Sequence, residues 1–304
     1  MVKPDLSVKI GKLKLKNPVM AASGTFGDGY GELTDIRSLG AIVAKTVTLR
    51  PRIGNPPPRV IETPSGMLNS IGLENKGVDI FLKKTLPSLK KFGTPVIASI
   101  AGDDEDEFKE LAKAVGTKAA ALELNLSCPN IRYGGKDRLI AQDEKGTYET
   151  VKAVRRATGL TVIAKLSPNV TDISRIAKAA EEAGADAVSL VNTFLGMAVD
   201  IEAQRPVLGN VTGGLSGPAI KPLALRMVWT VYNKVRIPVI GMGGIMDHKD
   251  ALEFMLAGAA AIQVGTANFV DPGAAAATAR GIEEYMKEHG IENVKGIVGK
   301  LRTG

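Results

Sequence analysis

The single cysteine of this 304-residue chain, Cys128, sits in the run Glu123-Leu124-Asn125-Leu126-Ser127-Cys128-Pro129-Asn130, a polar, asparagine-flanked segment directly after an apolar stretch. A lone thiol makes no internal disulfide and by itself holds neither an iron–sulfur cluster nor a structural zinc. Three roles remain open to it. A free cysteine is commonly a small buried hydrophobe. A nucleophilic thiol normally works with a histidine, and the chain has only His248 and His289, neither in a motif that suggests such a pair. The third role is a general base. It is unusual for a thiol, whose unperturbed pKa is about 8.5, and needs surroundings that favour thiolate.

Two lysines interrupt otherwise apolar runs, Val43-Ala44-Lys45 and Ile163-Ala164-Lys165. Burying an ammonium is expensive unless it meets an anion or a hydrogen-bond acceptor. One such lysine could snorkel to a rim; two at equivalent places on nonadjacent strands favour a shared anionic ligand. Two glycine-bearing steps, Gly243-Gly244 and Gly265-Thr266, follow later apolar runs. Each alone could serve only a tight turn.

The elements that must position these residues recur regularly. Apolar, β-branched runs at residues 18–23, 41–48, 95–101, 120–127, 161–167, 187–193, 238–243 and 261–266 alternate with helical patterns at 105–115, 147–158, 173–183, 218–235 and 249–257. Eight strands alternating with helices predict an α/β fold, a (β/α)8 TIM barrel, spanning 1–304 as one domain. A doubly wound sheet is weakened by the lack of a G-x-G-x-x-G turn after the first strand. An N-terminal β-hairpin, residues 6–10 and 13–15 around Gly11-Lys12, is expected to close the barrel bottom. Two long insertions leave C-terminal strand ends: 50–76, with Gly54-Asn55-Pro56-Pro57-Pro58, and 195–217, with five glycines. They read as long functional loops on the face where such barrels build their sites.

At those strand ends stand Ser23, Lys45, Thr46, Ser99, Asn125, Cys128, Lys165, Asn192, Thr193, Gly243, Gly244, Gly265 and Thr266. Barrels place phosphate after strands seven and eight, against backbone N–H groups. With two buried lysines, the glycines suggest a phosphorylated cofactor across the barrel mouth. FMN fits, because a lysine near the flavin stabilises the charge of the reduced ring. NAD binding by this chain is disfavoured without the dinucleotide fingerprint.

Composition narrows the classes. Aromatics at 4% leave a core of Ala, Val, Ile and Leu, which suits parallel strands buried on both faces. No apolar run approaches the roughly 20 residues of a membrane span, and the N-terminus shows no apolar signal region. With one cysteine, this points to the cytoplasm. The net charge of +7 suggests anionic ligands, yet doublets such as Lys83-Lys84 and Lys90-Lys91 fall on helical surface and no nucleic-acid motif appears.

The chain resembles, essentially from end to end, the class 1 dihydroorotate dehydrogenases. The resemblance rests on Asn17-Pro18, Ala22-Ser23-Gly24-Thr25-Phe26-Gly27, Lys45-Thr46-Val47-Thr48, Gly54-Asn55-Pro56-Pro57-Pro58-Arg59, Asn69-Ser70-Ile71-Gly72-Leu73-Glu74-Asn75, Asn125 to Asn130, Gly241-Met242-Gly243-Gly244-Ile245 and Gln263-Val264-Gly265-Thr266. Class 2 members use a serine base and carry an N-terminal membrane segment, which Cys128 and the polar N-terminus oppose. Residues 62–75 look like subclass 1B, with Glu74 where that family usually has Gln.

The resemblance implies oxidation of (S)-dihydroorotate to orotate in de novo pyrimidine (UMP) biosynthesis. Cys128 would take the C5 proton and FMN the C6 hydride. It implies substrate contacts at Lys45, Asn69, Ser70, Ile71, Gly72, Leu73, Asn125, Asn192 and Thr193. It implies FMN contacts at Ser23, Lys45, Thr46, Ser99, Asn125, Lys165, Val191, Gly217, Gly243, Gly244, Gly265 and Thr266; Ser99 stands where some members have Asn. No metal site is implied on this chain, and residues 129–139 would form a lid. Electrons would pass to a partner subunit carrying FAD and a [2Fe-2S] cluster and then to NAD+, in a heterotetramer built on a homodimer of this chain. Two other enzyme readings stay open. One is a class 1A-like stand-alone enzyme with another acceptor. The other is an IMP-dehydrogenase-like barrel, whose loop thiol attacks a purine nucleotide. A flavin-binding scaffold is the non-enzyme alternative.

Overall fold

The computed structural model describes residues 3–26, 33–127 and 140–303. β1 (Val8–Ile10) and β2 (Leu13–Leu15) alternate buried and exposed residues and pair antiparallel. Gly11 makes the turn between them with φ 55°, a left-handed conformation that favours glycine. The Lys12 and Leu13 amides donate to Thr161 Oγ1 at 2.9 and 3.2 Å. Thr161 opens a barrel strand, so the hairpin covers the N-terminal end of the barrel, as expected.

The next strands are β3 (Val19–Ala21), β4 (Ala41–Val43), β5 (Val60–Thr63), β6 (Gly66–Asn69), β7 (Val96–Ile100), β8 (Ala121–Asn125), β9 (Thr161–Lys165) and β10 (Ala187–Leu190). β11 (Phe194–Met197), β12 (Val199–Asp200), β13 (Arg205–Pro206), β14 (Thr212–Ser216), β15 (Val239–Met242) and β16 (Ala259–Val264) follow. β3, β4, β7, β8, β9, β10, β15 and β16 pair in parallel in that order and close through β16 onto β3. Every residue of β7, β8 and β9 is buried, as in a sheet wrapped by helices. The (β/α)8 barrel read from the alternation of runs is therefore the fold.

Its helices are α1 (Gly77–Ile80), which runs through a π-helical turn (Phe81–Thr85) into α2 (Leu86–Lys90), then α3 (Glu105–Val115), α4 (Glu144–Ala157) and α5 (Ile173–Glu182). α6 (Lys221–Tyr232), α7 (His248–Leu256), α8 (Ala267–Val270) and α9 (Ala274–Glu288) complete them. Aspartate side chains cap several starts: Asp104 accepts from the Glu107 amide, Asp143 from Gly146, Asp172 from Ser174 and Asp247 from Lys249 and Asp250. Each satisfies a backbone donor that the first helical turn leaves open. Among the described residues no helix is long and apolar enough to cross a membrane.

The two insertions are not loops throughout. β5 and β6 form a hairpin, β11 and β14 form another, and β14 pairs with β6 to join them into one four-stranded antiparallel sheet. Glycine makes this join possible: a side chain at Gly66 would strike the Ser216 carbonyl. The Pro-rich stretch stays irregular and is fastened by Arg59, whose Nη1 meets Glu74 Oε2 at 2.6 Å and whose Nη2 donates to the Ile53 carbonyl at 3.1 Å. Glu74, the departure from the resembled pattern, thus has a structural partner.

Candidate active site

One cavity opens at the C-terminal ends of the barrel strands and encloses about 1230 Å³, part of it open to solvent. The four-stranded insertion sheet supplies one wall. Lys45 arrives just past β4, Asn125 ends β8, Lys165 ends β9, and Gly243 and Gly265 follow β15 and β16. Ser23, Thr46, Asn69, Ile71, Gly72, Leu73, Val191, Asn192, Thr193, Gly217, Gly244 and Thr266 line the same space. Segments from both insertions and seven barrel strands therefore converge where the sequence placed a shared ligand.

Two residues expected as contacts lie behind this surface. Ser99 is fully buried, and its hydroxyl lies 2.8 Å from Thr46 Oγ1, so it supports Thr46 instead of lining the cavity. Ser70 is also fully buried; its amide donates to the Arg59 carbonyl at 2.7 Å and its hydroxyl accepts from Asn55 Nδ2 at 3.0 Å. Cys128 and the 129–139 segment lie outside the described residues.

Thr46 is the centre of a hydroxyl and amide chain. Its Oγ1 accepts from Asn125 Nδ2 at 3.1 Å and lies 3.2 Å from Ser23 Oγ, which donates to the Ala44 carbonyl at 2.9 Å. Across the mouth, Asn192 Nδ2 donates to Ser127 Oγ at 2.9 Å and to the Ser127 carbonyl at 3.1 Å. The Thr193 amide donates to Asn192 Oδ1 at 2.8 Å, and Asn169 Nδ2 donates to the Thr193 carbonyl at 3.1 Å. Asn69 Nδ2 reaches the Gly214 carbonyl at 3.3 Å. Networks of this kind hold carboxamides in one orientation before any ligand enters.

Backbone conformation shapes the other side. Gly217, Gly243 and Gly244 have φ of 95°, 119° and 79°. A side chain at Gly243 would press on Ala224 Cβ at 2.9 Å, and one at Gly244 on Lys221 Cβ at 2.7 Å. Thr266 Oγ1 donates to Ser216 Oγ at 2.8 Å, tying the loop after β16 to β14. Leu73, on the Asn69 side, is a non-glycine residue at φ 55°, a conformation usually retained only where the surroundings enforce it.

Beneath the mouth lies a polar layer that sequence reading missed. Glu123 of β8 is fully buried, accepts from Gln263 Nε2 at 2.6 Å and Ser189 Oγ at 3.1 Å, and stands 4.0 Å from Lys165 Nζ. The anion expected for Lys165 is thus in part a protein carboxylate. Period-two alternation along β8 could have revealed it, since Glu123 shares the face of Asn125. The donor set of the cavity fits a phosphorylated planar cofactor. Two lysines and several hydroxyls stand beside glycine-lined strand ends where backbone can approach a ligand closely.

A family model described as dihydroorotate dehydrogenase matches residues 5–286. This chain belongs to the dihydroorotate dehydrogenase family. Among its relatives are proteins named "Dihydroorotate dehydrogenase B (NAD(+)), catalytic subunit". The one from Geotalea daltonii is 54% identical over 99% of this chain and 100% of its own length. The Geobacter sulfurreducens relative is 54% identical over the full length of both chains. The Bacteroides thetaiotaomicron relative is 54% identical over 98% of this chain and 99% of its own. Membership in this family, over nearly the whole chain, selects the dihydroorotate dehydrogenase reading over the IMP-dehydrogenase-like barrel.

Proposed function

We infer that this chain is the catalytic subunit of an NAD+-linked dihydroorotate dehydrogenase and oxidises (S)-dihydroorotate to orotate in de novo pyrimidine synthesis. The observation that carries the reading is the single cavity in which Lys45, Asn69, Asn125, Asn192 and Thr193 meet Lys165 and the glycine-lined strand ends. Dihydroorotate is a carboxylate with a cyclic amide edge. Lys45 offers the charge that neutralises the carboxylate. The carboxamides of Asn69, Asn125 and Asn192 donate and accept in pairs, which matches ring N–H and C=O groups. Ile71, Gly72 and Leu73 supply backbone beside them.

Ser23, Thr46, Asn125, Lys165, Val191, Gly217, Gly243, Gly244, Gly265 and Thr266 would hold FMN, with Ser99 acting through Thr46. Bound FMN supplies the acceptor for the hydride that leaves C6. Lys165 brings positive charge to this part of the cavity. Cys128 removes the C5 proton. It follows Ser127, which the cavity residue Asn192 already fixes. A thiol serves as base when cationic neighbours favour thiolate and water is kept out.

One cysteine leaves no iron–sulfur centre on this chain. The relay to NAD+ therefore belongs to a second subunit with FAD and a [2Fe-2S] cluster. Two catalytic chains pair through the 195–217 insertion, where Leu195, Met197, Val199 and Ile201 are exposed. The assembly works in the cytoplasm. Anaerobic mixing of the FMN-loaded chain with dihydroorotate tests the reading: the flavin absorbance should bleach and return on adding a dye acceptor. A flavin that stays oxidised would overturn it.

A further inference from the structure

A buried carboxylate that the chemistry above does not use stands directly behind Lys165. Glu123 lies one layer below Asn125 on β8 and is wholly inaccessible to solvent. Its Oε2 accepts both hydrogen bonds, from Gln263 of β16 and Ser189 of β10. Among the described residues its Oε1 has no hydrogen-bond partner, and it faces Lys165 Nζ of β9 across 4.0 Å. Four strands thus direct polar groups to one point inside the barrel, where bulky apolar side chains are the usual filling. A charge buried this deeply is costly and is retained only with compensation. The 4.0 Å gap is too long for a hydrogen bond. Glu123 therefore faces the ammonium of Lys165 without occupying its donors, which remain directed to the cavity that Lys165 lines.

We propose that Glu123 is a positioning residue that acts through Lys165 to set the electrostatic potential at which the cofactor in this cavity accepts electrons. The inference rests on the flavin reading above. The ammonium of Lys165 favours the negative charge that a flavin gains on reduction. The carboxylate behind it draws the ammonium away from the cavity and so weakens its field there. Removing that negative charge while keeping the side chain's shape makes the cofactor easier to reduce. Glu123→Gln does this. Its amide oxygen can still accept from Gln263 Nε2 and Ser189 Oγ.

Spectroelectrochemical titration of FMN-loaded wild type, E123Q, K165M and the double variant tests the proposal. E123Q should raise the ratio of reduced to oxidised flavin at a fixed potential roughly tenfold, an upward shift of about 30 mV for a two-electron couple. In the K165M background the same substitution should change the ratio little. If E123Q does not fold, E123D, with its charge kept but withdrawn from Lys165, should give a smaller upward shift. Bound flavin whose potential is unmoved by these variants overturns the inference and leaves the flavin reading standing. A shift of equal size with and without Lys165 also overturns it. A wild-type chain that takes up no FMN overturns both readings.

Discussion

Asp250 of α7 holds the ammonium of Lys221, at the start of α6, at 2.7 Å. The second oxygen of Asp250 accepts the Met246 amide at 2.8 Å, and Glu253 takes the same ammonium at 3.0 Å. One ion cluster therefore anchors the loop that carries Gly243 and Gly244 against α6. The Asp250 hydrogen bond raises the Lys221 pKa above its ordinary value, with Glu253 adding to the effect and burial partly opposing it.

The stabilisation from this cluster has a defined pH window. The folded-state pKa of Lys221 lies above the unfolded value near 10.5. Its contribution is therefore complete below that value and disappears as pH rises through the folded-state pKa. Lys221→Met should cost about 1 kcal/mol at neutral pH, since the pair is only partly buried. The gap from wild type should close in strongly alkaline buffer. Urea unfolding at pH 7 and above pH ~10.5 measures both; a gap that stays constant across the two would exclude this role.

Cys128→Ala should retain FMN and the fold but slow flavin reduction by dihydroorotate roughly 10²-fold or more. Cys128→Ser should keep a small rate, displaced to higher pH, because a hydroxyl loses its proton less readily than a thiol. Stopped-flow absorbance at several pH values reads both variants. Near-normal reduction by the alanine variant at neutral pH would remove Cys128 from proton abstraction and return it to the role of a packed hydrophobe.

The barrel was legible because parallel strands buried on both faces leave continuous apolar runs. The 161–167 run contains Thr161–Lys165, and the 105–115 helical pattern is α3. Run 41–48 overshot its ladder, which ends at Val43; Lys45 and Thr46 beyond it line the cavity. The insertion sheet was not legible. Gly and Pro read as loop, and the pairing of β6 with β14 joins segments far apart in sequence, which no local pattern encodes. α9 was also missed, although its buried residues Ala275, Ala279, Ile282 and Met286 recur at helical spacing. Ser99 and Ser70, expected as contacts, lie buried behind the cavity wall, because residue type alone does not tell a lining hydroxyl from one buried behind it. Alternation along β8 puts Glu123 on the face of Asn125, but its partners are legible only once β9, β10 and β16 close around it.

Lys45→Ala should weaken orotate binding by about 2 kcal/mol or more, the scale expected when one member of a buried charge pair is removed. FMN retention should fall less, since Lys165 and the glycine-lined strand ends remain. Titration of orotate against the flavin absorbance measures the first effect and equilibrium dialysis of FMN the second. Unchanged orotate affinity would assign Lys45 to the cofactor alone.

The purified chain alone should reduce a dye with dihydroorotate yet form NADH slowly or not at all, because no iron–sulfur relay can be built from its one cysteine. Adding the FAD and iron–sulfur subunit should restore NADH formation, with light scattering reporting assembly. Rapid NAD+ reduction by the isolated chain with FMN as its only cofactor would contradict the two-subunit reading.

Gly214 offers a test of the insertion sheet's part in the site. It sits in β14, paired with Leu195 on one side and Asn69 on the other. Its carbonyl accepts Asn69 Nδ2, and a side chain at its Cα would overlap Thr193 Oγ1 and stand 2.6 Å from Thr193 Cβ. Asn69 and Thr193 are both expected at the substrate, so one missing methyl group keeps them in place together. Gly214→Ala must push Thr193 or β14 aside, an overpacking cost of about 1–3 kcal/mol. The displacement falls on the substrate side and leaves Gly243, Gly244 and Gly265 untouched. Orotate affinity should therefore drop about tenfold, as 1.4 kcal/mol of the cost would require, while FMN stays bound. Parallel orotate and FMN titrations of this variant separate the two sides of the cavity. Equal losses for both ligands would mean that the sheet supports the barrel mouth as a whole and does not specifically hold the substrate contacts.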